Sequence, residues 1–185
     1  MGPDRATSRA AIGVGLVGLV LTVAGIGVSI YLTIAHYQSA SVLACPDTGI
    51  INCTKVTTSS YSTQFGIPLA VLGLGFFVVT LLFQNPWAWR STSRLLRRSR
   101  VVVATGGAAM VLWLIWVELF RLDAICLYCT AVHALSILVF VLTVVGTAAT
   151  APAAADDYED EDEDEDDADG PVPGAAGTRP AVPAR

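Results

Sequence analysis

Charge is scarce along most of this chain. Between Asp4 and Asp156 the acidic residues are Asp47, Glu118 and Asp123 alone, and Lys55 is the single lysine. Residues 11–35, 67–83 and 101–117 carry no charge, and 125–150 carries none apart from the neutral-capable His133. A surface helix of a soluble domain needs a polar face as well as an apolar one. Four runs without such a face exclude an ordinary soluble helical domain. The missing lysines also remove a nucleic-acid signature, and the arginines of 90–100 are better read as membrane-topology residues.

What is present is apolar. Hydrophobic residues make up 54% of the 185, with a mean hydropathy of +0.60, above the usual globular share of about 45–50%. Each run is near the roughly 17–25 residues that a bilayer-spanning helix needs. A helix closes its backbone hydrogen bonds within itself, so such runs become helices in lipid. The expected fold is an all-α integral membrane protein, a four-transmembrane-helix bundle with helices at about 11–35, 67–84, 101–120 and 125–148. Residues 1–10 precede it, a partly helical outer loop joins helices 1 and 2, and 151–185 follow as a tail. Pro68 is expected in the first turn of helix 2, where its missing N–H does no harm. Glycines 13, 15, 18, 25 and 27 suit close helix packing. The first run is too long for a signal-peptide core. VLAC at 42–45 resembles a lipoprotein processing site only loosely, because HYQSAS separates it from that run.

Orientation follows the basic residues, which stay on the cytoplasmic side. Arg5 and Arg9 precede helix 1, and Arg90, Arg94, Arg97, Arg98 and Arg100 lie between helices 2 and 3. The other two connections hold only Lys55 and Arg121. Both termini are therefore expected inside a bacterial cytoplasmic membrane, crossed several times. Trp87 and Trp89 then fit the inner interfacial belt, and Trp113 and Trp116 the outer one. Glu118 is expected to reach the outer interface or to pair with Arg121. DDYEDEDEDEDDAD at 156–169, followed by a Gly/Pro/Ala-rich end, is expected to be a disordered acidic tail, because like charges repel and no apolar residues can pack.

The same orientation places all four cysteines on the outer side. Cys126 and Cys129 form a CxxC at the start of helix 4, with Asp123 as the expected N-cap. A helix N-terminus favours a thiolate, which makes such a pair redox-competent. CxxC also suits zinc, and His133 lies one turn further along the helix. A purely structural bridge across so short a loop would restrain almost nothing. Cys45 and Cys53 lie in CPDTGIINC, where Pro46, Asp47 and Gly49 are turn residues. Alone they would suggest a structural disulfide. Beside a second pair, thiol–disulfide exchange becomes available. Asn52-Cys53-Thr54 also fits a glycosylation sequon, a short match read as chance. A lipid-soluble quinone is the natural acceptor for a half-sunk dithiol, with Ser59 and His133 as polar groups to orient it.

CPDTGIINC, the following TKVTTSSYSTQFGIP and the later CLYC together resemble bacterial homologues of vitamin K epoxide reductase, over about residues 10–148. The resemblance implies a thiol:quinone oxidoreductase that drives disulfide formation in exported proteins. By position it makes Cys126 and Cys129 the active-site pair, with Cys129 beside the quinone (menaquinone or ubiquinone). It makes Cys53 the loop cysteine that exchanges with Cys126, and Cys45 the contact of a thioredoxin-like, DsbA-like extracytoplasmic partner. Ser59 matches the serine near the quinone pocket. His133 stands where vertebrate members carry tyrosine. Many bacterial members carry a fused thioredoxin-like domain, so the expectation here is a stand-alone form with a separate partner. The alternative from another class is an outer-face metal-binding or metal-handling membrane protein. No cysteine at the inner face is available to pass an ion inward.

Overall fold

A computed structural model describes residues 3–38, 42–45, 48–91 and 93–150, with side chains in the first helix from Arg9 onward. The expected acidic tail, the Arg5 side chain and the turn at Pro46 and Asp47 lie outside the described residues.

The chain is mainly helical. Helix α1 (Pro3–Gln38) is followed by a loop holding the short α2 (Cys53–Thr57) and a 3-10 turn (Ser60–Ser62). A small hairpin pairs β1 (Thr63–Gln64) with β2 (Ile67–Pro68) in antiparallel register, Thr63 opposite Pro68 and Gln64 opposite Ile67. Then come α3 (Leu69–Gln84), α4 (Pro86–Trp89), α5 (Arg94–Val117), a π-helical turn (Glu118–Leu122) and α6 (Leu127–Ala149). Three helical stretches are long and apolar enough to cross a membrane: Arg9–Gln38, Arg94–Leu122 and Leu127–Ala149. The apolar α3 has 16 residues, about 24 Å at 1.5 Å per residue.

Several boundaries differ from those expected, each for a physical reason. Apolarity marks the part of a helix that lipid can hold, not the part that is helical. Thus α1 begins at Pro3 rather than 11, and α5 at Arg94 rather than 101. Arginine is a good helix former, and the Ser93 side chain caps α5 by accepting the Leu96 N–H at 3.4 Å. Pro68 lies outside its helix, as the N-cap of α3, because Ile67 and Pro68 belong to the hairpin.

α1 packs on α3, α4 and α6, while α5 packs on α6 and α3. At Gly15, Gly18 and Gly25 a side chain would collide with Pro86, Gln84 and Phe77 respectively, whereas Gly13 and Gly27 face open space. Small residues let α1 approach its neighbours closely. At the end of the helices away from the cysteines lies a buried polar cluster. Gln84 Nε2 donates to Thr143 Oγ1 at 2.8 Å, and Trp89 Nε1 donates to Gln84 Oε1 at 3.0 Å. Arg100 lies 3.8 Å over the Trp89 ring and donates from Nη2 to the Ala88 carbonyl at 3.0 Å. Trp89 and Arg100 are 4% and 5% exposed. Trp89 is therefore a packing residue, not the interfacial anchor expected of it, whereas Trp87 is exposed.

Candidate active site

The loop between α1 and the hairpin brings its cysteines to the start of α6 through main-chain bonds. Ile125 N–H donates to the Ile50 carbonyl at 2.8 Å, and Asn52 N–H donates to the Ile125 carbonyl at 3.1 Å. This parallel bridge between Ile51 and Ile125 puts Cys53 and Cys126 in one buried cluster with Leu32, Ala35, Leu43, Val56 and Ala124. Both sulfur-bearing residues are wholly buried. The Asn52 side chain caps α2 by accepting the Lys55 N–H at 2.7 Å, which fixes Cys53 as the first residue of that helix.

Cys45 and Cys53 form a disulfide, with Cα atoms 6.1 Å apart. Cys126 and Cys129 are free thiols. Two tyrosines hold the Cys45 side of the loop. Tyr31 donates to the Val42 carbonyl at 2.8 Å, and Tyr128, from within the CxxC, donates to the Ala44 carbonyl at 3.2 Å. Their rings lie 5.0 Å apart.

The expected cap of the last helix is corrected. Asp123 ends the preceding π turn in a left-handed conformation, φ 45°, while Cys126 is the N-cap of α6. The Cys126 sulfur accepts the Cys129 N–H at 3.3 Å. Hydrogen bonding from Cys129 holds the Cys126 thiol below its ordinary value, against the opposing effect of burial. The Cys126 sulfur thus serves as the cap of α6.

Beyond Cys129 opens a cavity of about 670 Å³, within the usual range of roughly 300–1,000 Å³ for small-molecule sites. Its wall is mostly apolar, and Cys129, His133, Ser59, Glu118 and Ser136 also line it. Cys126 does not line it, so the two thiols face different neighbours. Ser59 is half-buried and donates to the Val56 carbonyl at 2.8 Å. His133 is 6% exposed, one helical turn beyond Cys129.

Glu118 departs from its expected place. It is 7% exposed, and among the described residues no ion pair joins it to Arg121. Arg121 is exposed and lies over the Tyr61 ring at 5.8 Å. Val103, Gly107, Val111, Leu114 and Glu118 line the cavity at helical spacing along α5. That stripe was the sequence signal that could have placed Glu118 inside. Among the described residues no group of three or more His, Cys, Asp or Glu is gathered to hold a metal ion.

The family model described as the vitamin K epoxide reductase family, VKOR, matches residues 16–144. The chain belongs to that family. The match runs from within α1 to within α6 of this VKOR-family protein and takes in both cysteine pairs and the cavity wall. No curated protein matches it. Membership, with three membrane-length apolar helices, makes it a multi-pass membrane protein and implies oxidoreductase activity.

Proposed function

We propose that the chain is a membrane thiol:quinone oxidoreductase that drives disulfide formation in exported proteins. The observation that carries this reading is the placement of Cys129 on an apolar cavity while Cys126 shares a buried cluster with Cys53. One dithiol so placed can face a lipid-borne oxidant on one side and a second redox pair on the other. In this reading α3 is the fourth membrane helix, both termini are cytoplasmic and the cysteines are extracytoplasmic, in keeping with the arginines at the far end.

A dithiol on a soluble, thioredoxin-like partner reduces the Cys45–Cys53 disulfide by attack at Cys45, and the partner leaves as its own disulfide. The freed Cys53 thiolate attacks the Cys126–Cys129 disulfide at Cys126, and Cys45 then resolves that bond, which re-forms Cys45–Cys53 and leaves two thiols in the CxxC. The cavity fits a quinone: its volume and apolar wall suit a ring with a lipid tail, and Ser59 and His133 would hold the polar end. A quinone bound there takes up two electrons and two protons. Cys126 and Cys129 release both on closing to the disulfide.

The test is quinone reduction by purified protein with a reduced thioredoxin-like donor. Turnover is expected in the natural chain and its loss in Cys129→Ala. Retained turnover in that variant would sink the proposal. The metal-handling alternative would instead require zinc binding at Cys126, Cys129 and His133, and these three do not form a gathered site.

A further inference from the structure

Among the described residues Glu118 is the one acidic side chain on the cavity wall, and the cycle above leaves it without a task. Ionisable groups are expensive within apolar surroundings and persist where they pair or function. Among the described residues its carboxyl group has no hydrogen-bond donor and no ion-pair partner, and it is not sealed off from the cavity. It lines the same cavity as Cys129. Its own carbonyl anchors it: the Asp123 N–H and the Ala124 N–H both donate to Glu118 O, the latter at 3.2 Å, across the π turn. π turns frequently mark functional positions in helices.

The dithiol has a proton problem. Closing Cys126–Cys129 breaks two S–H bonds and forms one S–S bond. Two electrons and two protons leave, and both end on the quinone, which becomes quinol. The electrons pass through Cys129. The protons need a group that can hold them between sulfur and acceptor.

We propose that Glu118 is the proton carrier of the CxxC: its carboxyl group takes the proton from Cys129 Sγ as the disulfide closes and releases it into the cavity. The assignment rests on Cys126 and Cys129 being the redox pair. Other groups around the same space are His133 on α6, His36 on α1, and Ser59 and Tyr61 on the loop. Arg121, on Glu118's own π turn, and Asp123, just after it, are exposed. Of these, His133 is the competitor, since it too lies on the wall one turn from Cys129.

The test is infrared difference spectroscopy on the full chain, reduced with a small dithiol and then oxidised with a small disulfide, so that no quinone is involved. A carboxyl band should shift between the two states and be absent from Glu118→Gln. With a saturating quinone added, Glu118→Gln should oxidise the CxxC about 10²-fold more slowly, the low end of the range for loss of one acid–base group. A band that persists in Glu118→Gln, or a rate that falls less than about tenfold, overturns the proposal. Should Glu118→Gln fail to fold, Glu118→Asp carries the test: a displaced band and slower oxidation support it, and an unchanged band overturns it. Failure of the natural chain to oxidise its CxxC with any quinone would sink the thiol:quinone reading alone, because the band is measured without one.

Discussion

Two groups of buried polar residues lie at opposite ends of the helices. In the arginine-end cluster, Gln84 serves Trp89 and Thr143 at once, and Arg100 rests on the Trp89 ring. At the cysteine end, Glu118, His133 and Cys129 share a cavity wall. In the arginine-end cluster Gln84, Trp89 and Thr143 partner one another, although Arg100 Nε is left without a hydrogen-bond partner. Polar side chains disposed for chemistry face a space where something else must complete them. The difference separates architecture from activity without reference to charge, since each end has an ionisable group that is less than a tenth exposed.

The sharpest break in the comparison is Cys126→Ala. Turnover with a quinone is expected to fall to background while the Cys45–Cys53 disulfide and the helical content persist, measured by quinol formation and by circular dichroism. Gln84→Leu should do the reverse. It strands two hydrogen-bond partners, so stability should drop by about 1–3 kcal/mol, read by thermal unfolding in detergent, while turnover per folded molecule stays unchanged. A drop in turnover larger than the folded fraction explains would join the two ends functionally and end the distinction.

A finer test concerns the self-capping thiol. Its lowered pKa means that Cys126 ionises at lower pH than an ordinary thiol, so the thiolate is present below the usual range and is lost only as pH falls through the depressed value. Thiolate absorbance of the reduced protein should therefore rise early in a titration, and Cys129→Ala should move that rise to higher pH. The smallest effect is expected of Tyr128→Phe. It removes one hydrogen bond at 3.2 Å on a partly exposed residue, worth about 0.5–1.5 kcal/mol. Faster reduction of the Cys45–Cys53 disulfide by a small dithiol would report a loosened loop.

Much of the membrane character was legible, because lipid imposes its demand on each helix separately. Runs without charge therefore revealed α1, α3, α5 and α6 one at a time. The cysteine spacing pointed to chemistry for a similar reason, since CxxC at a helix start is a local arrangement. What stayed hidden depends on lateral contact. Gln84 and Thr143 are 59 residues apart in sequence. Arg100 reads as a topology marker, yet Trp89 covers it. The pairing of Glu118 with Arg121 failed because the wider π turn carries them to different sides, one to the cavity wall and one to the surface. Asp123 looked like a cap by residue type alone, but a left-handed backbone there ends one helix rather than beginning the next.

The Ile51–Ile125 bridge has a consequence for how this sequence can drift. The two cysteine pairs are held in register by amide and carbonyl groups that every residue but proline carries in full. The bridge itself therefore asks nothing of the side chains at 50, 51 and 125, whereas Asn52 is also held to its type by the cap it gives α2. Lineages can vary the side chains at 50, 51 and 125 without losing the bridge, provided that proline stays out of 52 and 125, where the donated N–H would vanish.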